Sequence, residues 1–354
     1  MRSAILQDIR KLAFVERDVP ACPPDGLRLR VKACGVCATD VKIYNYGHRL
    51  LRLPRVLGHE LAGVIDEVGP AWADQFQRGQ RVAVCAVINC GQCRFCLRNV
   101  PSMCEQLEAF GYHYDGGYQE YLIIPAKSVR CGGVQPLPDH VSFEEAAVAE
   151  LLACSLNGQA LSDFRFGQSA LIIGAGPVGI LQALLAHARG CAPVYIADVL
   201  PEKLGLAREI CGAGLAGALD SRDRQSFVSA GLKVTGGYGF DQVMICCGVP
   251  VAQQASLELV AKCGCVNFFG GLPQGKSDVV LDTNHIHYKQ CRVVGTHGSS
   301  VLDNREAVAL IAQGQIDLKP VITDRIELAG LEPALQVGGK DPRHLKAVVS
   351  YEEP

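Results

Sequence analysis

The amino-acid sequence predicts an α/β fold: a doubly wound parallel sheet, preceded by a region of short antiparallel strands. Three observations predict it. Residues 170–270 alternate short apolar runs with helical stretches, the pattern of parallel strands joined by crossover helices. A glycine-rich turn stands straight after the first of those runs. Before them, the first 130 residues carry short runs punctuated by Gly and Pro, as antiparallel strands with one wet face do.

Taken in order, the early strands are expected at Leu27-Arg28-Leu29-Arg30-Val31, at Gly63 to Val68 and at Arg81-Val82-Ala83-Val84. The texture changes near residue 151. Ala170-Leu171-Ile172-Ile173 reads as a buried strand, and a helix follows the glycine turn to about Arg189. The next strand ends Val194-Tyr195-Ile196-Ala197-Asp198. Pro201 opens another helix at its tolerated first position, and Gly212 closes it. Strands are expected again at Asp241–Cys246 and Cys265–Phe269, with helical texture from Val251 to Ala261 between them. The last 60 or so residues return to mixed short elements, and no repeat or low-complexity tract is present.

In Gly174-x-Gly176-x-x-Gly179 the first glycine permits a tight turn and the second lets a pyrophosphate approach the backbone. The third lets helix and strand pack closely, with phosphates at the positive helix end. Pro177 and Val178 open that helix. Asp198 ends the second strand about 20 residues on, where a carboxylate accepts ribose hydroxyls and repels a 2′-phosphate. NAD is therefore expected over NADP, with Lys203 in the following helix joining the cofactor-binding set.

Cys90, Cys93, Cys96 and Cys104 form a C-x2-C-x2-C-x7-C run. Four thiolates at this spacing close around one zinc and leave no position for substrate, so the site is structural. Seventeen cysteines in 354 residues without an early apolar leader point to a reducing compartment, taken as the cytoplasm. A formal charge of −2 offers no basic excess for a nucleic-acid backbone, and no apolar run approaches the ~20 residues of a membrane helix.

The glycine turn, the cysteine lobe, Gly35-Val36-Cys37-Ala38-Thr39-Asp40, Gly58-His59-Glu60 and Glu150-Leu151 together resemble the zinc-dependent medium-chain alcohol and polyol dehydrogenases, over nearly the whole chain. The resemblance implies a chaperonin-10-like (GroES-like) β-barrel catalytic domain from residues 1–149 and 296–354, with a Rossmann NAD-binding domain at 150–295. It implies two zinc ions per chain, one structural and one catalytic. Cys37 and His59 match the first two catalytic ligands, and Glu150 matches the third, a carboxylate in the sorbitol-dehydrogenase branch. Glu60 matches a neighbouring acid that lies behind the metal or exchanges with its water. One thiolate, one imidazole and one carboxylate leave zinc neutral with a free fourth position; a second carboxylate would make the site negative and cost Lewis acidity.

Thr39 matches the hydroxyl that takes the substrate proton, and is equally readable as a helix cap with Asp40. Where many relatives carry a relay histidine this chain has Lys42, which relays a proton, holds an anionic substrate or is a solvated helix-face charge. The resemblance implies hydride transfer from a secondary alcohol of a polyol, sugar alcohol or cyclitol to NAD. A threonine dehydrogenase is the alternative suggested by Val41 to His48, and a phosphorylated-polyol dehydrogenase by Arg49, Arg52 and Arg55. A catalytically silent relative would be expected to have lost ligands that this chain keeps. Relatives of this kind are dimers or tetramers, so a homo-oligomer is expected.

Overall fold

The structure, a computed structural model, describes residues 1–273, 275–337 and 341–351. The chain divides into two compact units, Met1–Ala153 with Ser299–Pro354, and Cys154–Gly298.

In the first unit the Leu27–Gly35 strand is the spine of a seven-stranded sheet. Leu27, Leu29 and Val31 are buried, while Arg28, Arg30 and Lys32 between them are only half-buried. A slip of one residue would drive three cations into the core, so the alternation fixes the register. The strand pairs antiparallel with Glu60–Val68 and with Lys346–Ser350, near the chain's end. Arg81–Val84 and Val134–Pro136 extend the sheet on one side and Ile322–Ile326 on the other. The register sets Gly35 opposite both Glu60 and Val348.

Two elements differ from the sequence expectation. The strand expected from Gly63 begins at Glu60, a buried acid that breaks the apolar pattern. Ala146–Leu152, a mere apolar run in the sequence, belongs to a 20-residue helix, Phe143–Ser162. All seven residues of that run are buried, and a helix apolar around its circumference shows no periodic stripe. A reciprocal cap that the sequence reading did not use opens it: Ser142 Oγ donates to Glu145 Oε2 (2.6 Å), and the Glu145 N–H donates back to Ser142 Oγ (3.2 Å).

The second unit is a six-stranded parallel sheet in the order Gly217–Asp220, Val194–Asp198, Ala170–Ile173, Phe240–Ile245, Val260–Phe268, Arg292–Gly295. That is 3-2-1-4-5-6 in chain order, the doubly wound arrangement expected. Its order reverses beside Ala170–Ile173, where such sheets bind ligands at the strand ends. No described helix is long and apolar enough to cross a membrane.

Candidate active site

In the first unit, a helix start and the head of one strand bring together three side chains of types that could hold a metal ion. Cys37 stands at the N-terminal boundary of the Ala38–Tyr46 helix in extended backbone. His59 directly precedes the strand that Glu60 opens. Gly58, before it, turns the chain at φ +91°, where a Cβ would also lie 2.6 Å from Cys34 Sγ. One ligand atom each from Cys37, His59 and Glu60 lie within 4.8 Å of one another. A thiolate, an imidazole and a carboxylate are donor types that an open zinc site uses.

Glu60 is fully buried. Its Oε1 accepts a hydrogen bond from Lys346 Nζ, which also donates to the Val36 carbonyl (3.1 Å), while its Oε2 has no hydrogen-bond partner. The carboxylate fits only because residue 35 is glycine: a Cβ there would stand 1.8 Å from Oε2. An orphaned buried carboxylate oxygen beside a thiol and an imidazole suits a cation. Glu150 is buried on its helix outside this group, yet its charge contributes to raising Lys346 and Tyr112 above their ordinary pKa values. Counting charge from sequence sets Glu60 back from the metal. The count omits Lys346, 286 residues away in the chain, whose ammonium offsets the extra carboxylate.

His59 is held from behind. Its Nδ1 lies 3.4 Å from Asp40 Oδ1, an ion-pair contact rather than a short hydrogen bond. Asp40 Oδ2 accepts the Cys37 N–H (3.0 Å) and the Tyr118 hydroxyl (2.8 Å). With Nδ1 turned to Asp40, Nε2 is the nitrogen left for a metal. Burial acts most strongly on both groups, against their charged forms, and the pairing overrides it. Asp40 and Cys37 hold His59 well above its usual pKa; His59, Cys37 N–H and Tyr118 hold Asp40 below its own. Without metal, the site therefore keeps a proton where zinc would bind.

The cysteine lobe fits a closed zinc site. Cys90–Cys96, Cys93–Cys96 and Cys93–Cys104 sulfurs are 3.9, 3.6 and 3.9 Å apart. A tetrahedron with Zn–S bonds of about 2.3 Å has edges of about 3.8 Å. Backbone N–H groups of Cys93, Cys90 and Gln106 donate to the sulfurs at 3.3–3.4 Å, support that favours thiolates.

In the second unit each glycine of the turn has its own reason. Gly174 adopts φ +108°, a Cβ on Gly179 would meet the Gly174 carbonyl oxygen at 1.7 Å, and Gly176 faces open space. Pro177 and Val178 form the first turn of the Pro177–Ala188 helix. Asp198 accepts the Ala175 N–H on Oδ2 (2.7 Å) and the Leu200 N–H on Oδ1 (2.9 Å), keeping acceptor capacity on both oxygens. It lines a pocket with Gly174, Val199, Ser221 and Arg224 among others. Lys203 is half-buried on the next helix, outside that lining.

Residues 23–134 match the alcohol dehydrogenase GroES-like domain family, and residues 177–313 match the zinc-binding dehydrogenase family. An L-threonine 3-dehydrogenase of Rhizobium etli (strain CIAT 652) is 31% identical over 93% of this chain and 92% of its own. The chain belongs to the zinc-dependent medium-chain dehydrogenases. An L-galactonate-5-dehydrogenase of Escherichia coli K12 is 28% identical to this dehydrogenase over 99% of both chains. A solved structure from Sinorhizobium meliloti 1021, described as a zinc-binding dehydrogenase and bound to NADP, superposes with a TM-score of 0.87. It is 29% identical and covers 99% of both chains.

In this dehydrogenase Thr39 sits half-buried in the first helical turn, and its hydroxyl makes no hydrogen bond to a described residue. Capping falls to Asp40 instead, whose carboxylate takes the Cys37 N–H. Lys42, Arg49 and Arg52 are exposed, whereas Arg55 is tied to Asp115 at 3.1 Å. Cys34 is buried packing in its strand. Sequence reasoning missed Lys346, Tyr118 and Tyr112 as site residues and read Asp40 only as a cap partner. Lys346 did carry a signal: it is a lone cation in Leu345-Lys346-Ala347-Val348-Val349, as Glu150 is a lone acid in its own run.

Proposed function

We propose that this dehydrogenase oxidises a secondary alcohol of a polyhydroxylated small molecule (a polyol, sugar alcohol or cyclitol) with NAD as acceptor. The observation that carries the reading is the convergence of Cys37, His59 and Glu60, backed by Lys346 and Asp40. Cys37 and His59 would hold zinc with a carboxylate of Glu60 or Glu150. When bound, zinc supplies a Lewis acid that acidifies an alcohol, and the nicotinamide supplies a hydride acceptor.

The chain's own residues do the rest. Asp40 fixes the His59 ring and its tautomer. Lys346 keeps the second carboxylate from making the site anionic, and so protects its affinity for an incoming alkoxide. Thr39 Oγ1, unbonded to any described residue, accepts the substrate hydroxyl proton and releases its own outward. Asp198 accepts the adenosine ribose hydroxyls and repels a 2′-phosphate, which favours NAD even though the Sinorhizobium relative holds NADP. Cys90, Cys93, Cys96 and Cys104 would hold a second, structural zinc.

A second reading, oxidation of L-threonine, is favoured by the Rhizobium relative. NADH formation from sorbitol, iditol, inositol, L-threonine and galactitol 1-phosphate separates the two. The polyol reading expects the highest kcat/KM among the unphosphorylated polyols; a maximum for L-threonine replaces it. Cys37→Ser and His59→Ala should abolish turnover at any NAD concentration while NAD still binds. Turnover restored by excess NAD would contradict the ligand assignment.

A further inference from the structure

The loop at residues 111–118 lies against the turn that carries His59. Gly116 N–H donates to the Val56 carbonyl (2.8 Å) and Gly117 N–H to the Gly58 carbonyl (2.8 Å). Glycine permits this approach: a Cβ on Gly116 would stand 2.1 Å from Gly58 O, and one on Gly111 would stand 3.3 Å from Gly58 N. The docked loop places Tyr112 with its ring centroid 6.2 Å from that of His59.

Tyr112 is half-buried, and its hydroxyl makes no hydrogen bond to a described residue. Burial is the largest influence on that phenol and raises its pKa, while His59, whose ring lies beside it, acts in the opposite direction. It stays protonated, able to donate and to accept. The exposed His48 ring packs edge-on against Tyr112, 5.2 Å between centroids. Its Nδ1 accepts the Leu50 N–H at 3.3 Å, which leaves the Nε2 proton of the neutral ring free to donate. Burial and Arg49 both keep that ring neutral.

We propose that Tyr112 and His48 form the wall that selects a substrate carrying a second hydroxyl beside the reacting carbinol. The proposal rests on the alcohol-oxidising reading above and narrows its substrate class. The half-buried Tyr112 phenol, without a partner among the described residues, is satisfied by a vicinal hydroxyl and loses that partner against a simple alcohol, and the His48 N–H offers the same hydroxyl a second donor. A site built to hydrogen-bond a hydroxyl penalises the analogue that lacks it far more than an apolar wall does.

Butane-2,3-diol and butan-2-ol differ by that one hydroxyl and give the test. In the zinc-loaded enzyme, the ratio of kcat/KM for diol over mono-ol should fall at least about tenfold in Tyr112→Phe, which keeps the ring. His48→Phe should lower the ratio as well. Calorimetric titration of the zinc-loaded protein with each alcohol, without cofactor, reads the same wall independently of turnover. The wild type should bind the diol more tightly, and Tyr112→Phe should remove the difference. Equal or undetectable binding of both alcohols by the wild type, or an unchanged ratio in both variants, overturns the proposal. Diol-selective binding without NADH formation from any alcohol upholds the wall and overturns the oxidoreductase reading instead.

Discussion

Glu60 and Lys346 show how single residues here depend on partners far away in sequence. Each is a buried charge that would be costly alone, and each satisfies the other. Lys346→Met keeps the side-chain volume but leaves Glu60 uncompensated. It should destabilise the fold by about 3–5 kcal/mol in urea denaturation, with Glu60→Gln in the same chain recovering part of the loss. If the single and double variants are equally unstable, the pair is not what holds that corner. Asp40→Asn tests the support of His59. It keeps an acceptor for the Cys37 N–H but removes the charge facing the ring, so zinc affinity at that site should drop about 10–100-fold in chelator competition. Sequence made Cys37 and His59 legible as candidates because short motifs announce them. The partners that complete the group were not legible: Lys346 meets Glu60 only through the pairing of a C-terminal strand with Leu27–Gly35.

At the scale of elements, the parallel sheet was the most readable part of the chain. Strand Ala170–Ile173 and the helices at Pro177 and Pro201 carry buried runs, glycine closures and first-turn prolines that agree with one another. The Phe143–Ser162 helix was not readable, because burial on all sides removes the periodicity that marks a helix. The strand end at Asp198 carries the cofactor prediction. Asp198→Ala removes the acceptor that also fixes the Ala175 and Leu200 N–H groups. The KM for NAD should rise at least about tenfold and the preference over NADP should shrink. A variant that keeps the wild-type ratio of kcat/KM for the two cofactors would remove Asp198 from that role. The cysteine lobe is an element of another kind, stapled rather than packed, and Cys93→Ser should lower bound zinc from two per chain to one by elemental analysis.

Across the whole molecule, protons and zinc compete for the same atoms. In the metal-free protein His59 is held above its usual pKa, so its contribution to stability is fully present below about pH 6.5. That contribution disappears as pH rises through the higher value of the folded state. Zinc requires the opposite form, a neutral imidazole, and must also displace protons from thiols. Burial pushes Cys104 up to about 12, while backbone N–H groups, led by that of Cys96, draw Cys93 down to about 6. Zinc must therefore displace a proton from Cys104 at neutral pH, whereas Cys93 gives its own up readily. Both metal groups lose affinity for zinc as pH falls, and the metal-free His59 site gains stability in the same direction. The rise in Tm on loading zinc should therefore grow from about pH 6 to about pH 8. Repeating the titration in Cys93→Ser isolates the Cys37–His59 site, where the same slope should persist with smaller amplitude. A zinc-dependent rise in Tm that is flat over that range would mean that zinc does not replace the His59 proton, and would move the metal away from Cys37 and His59.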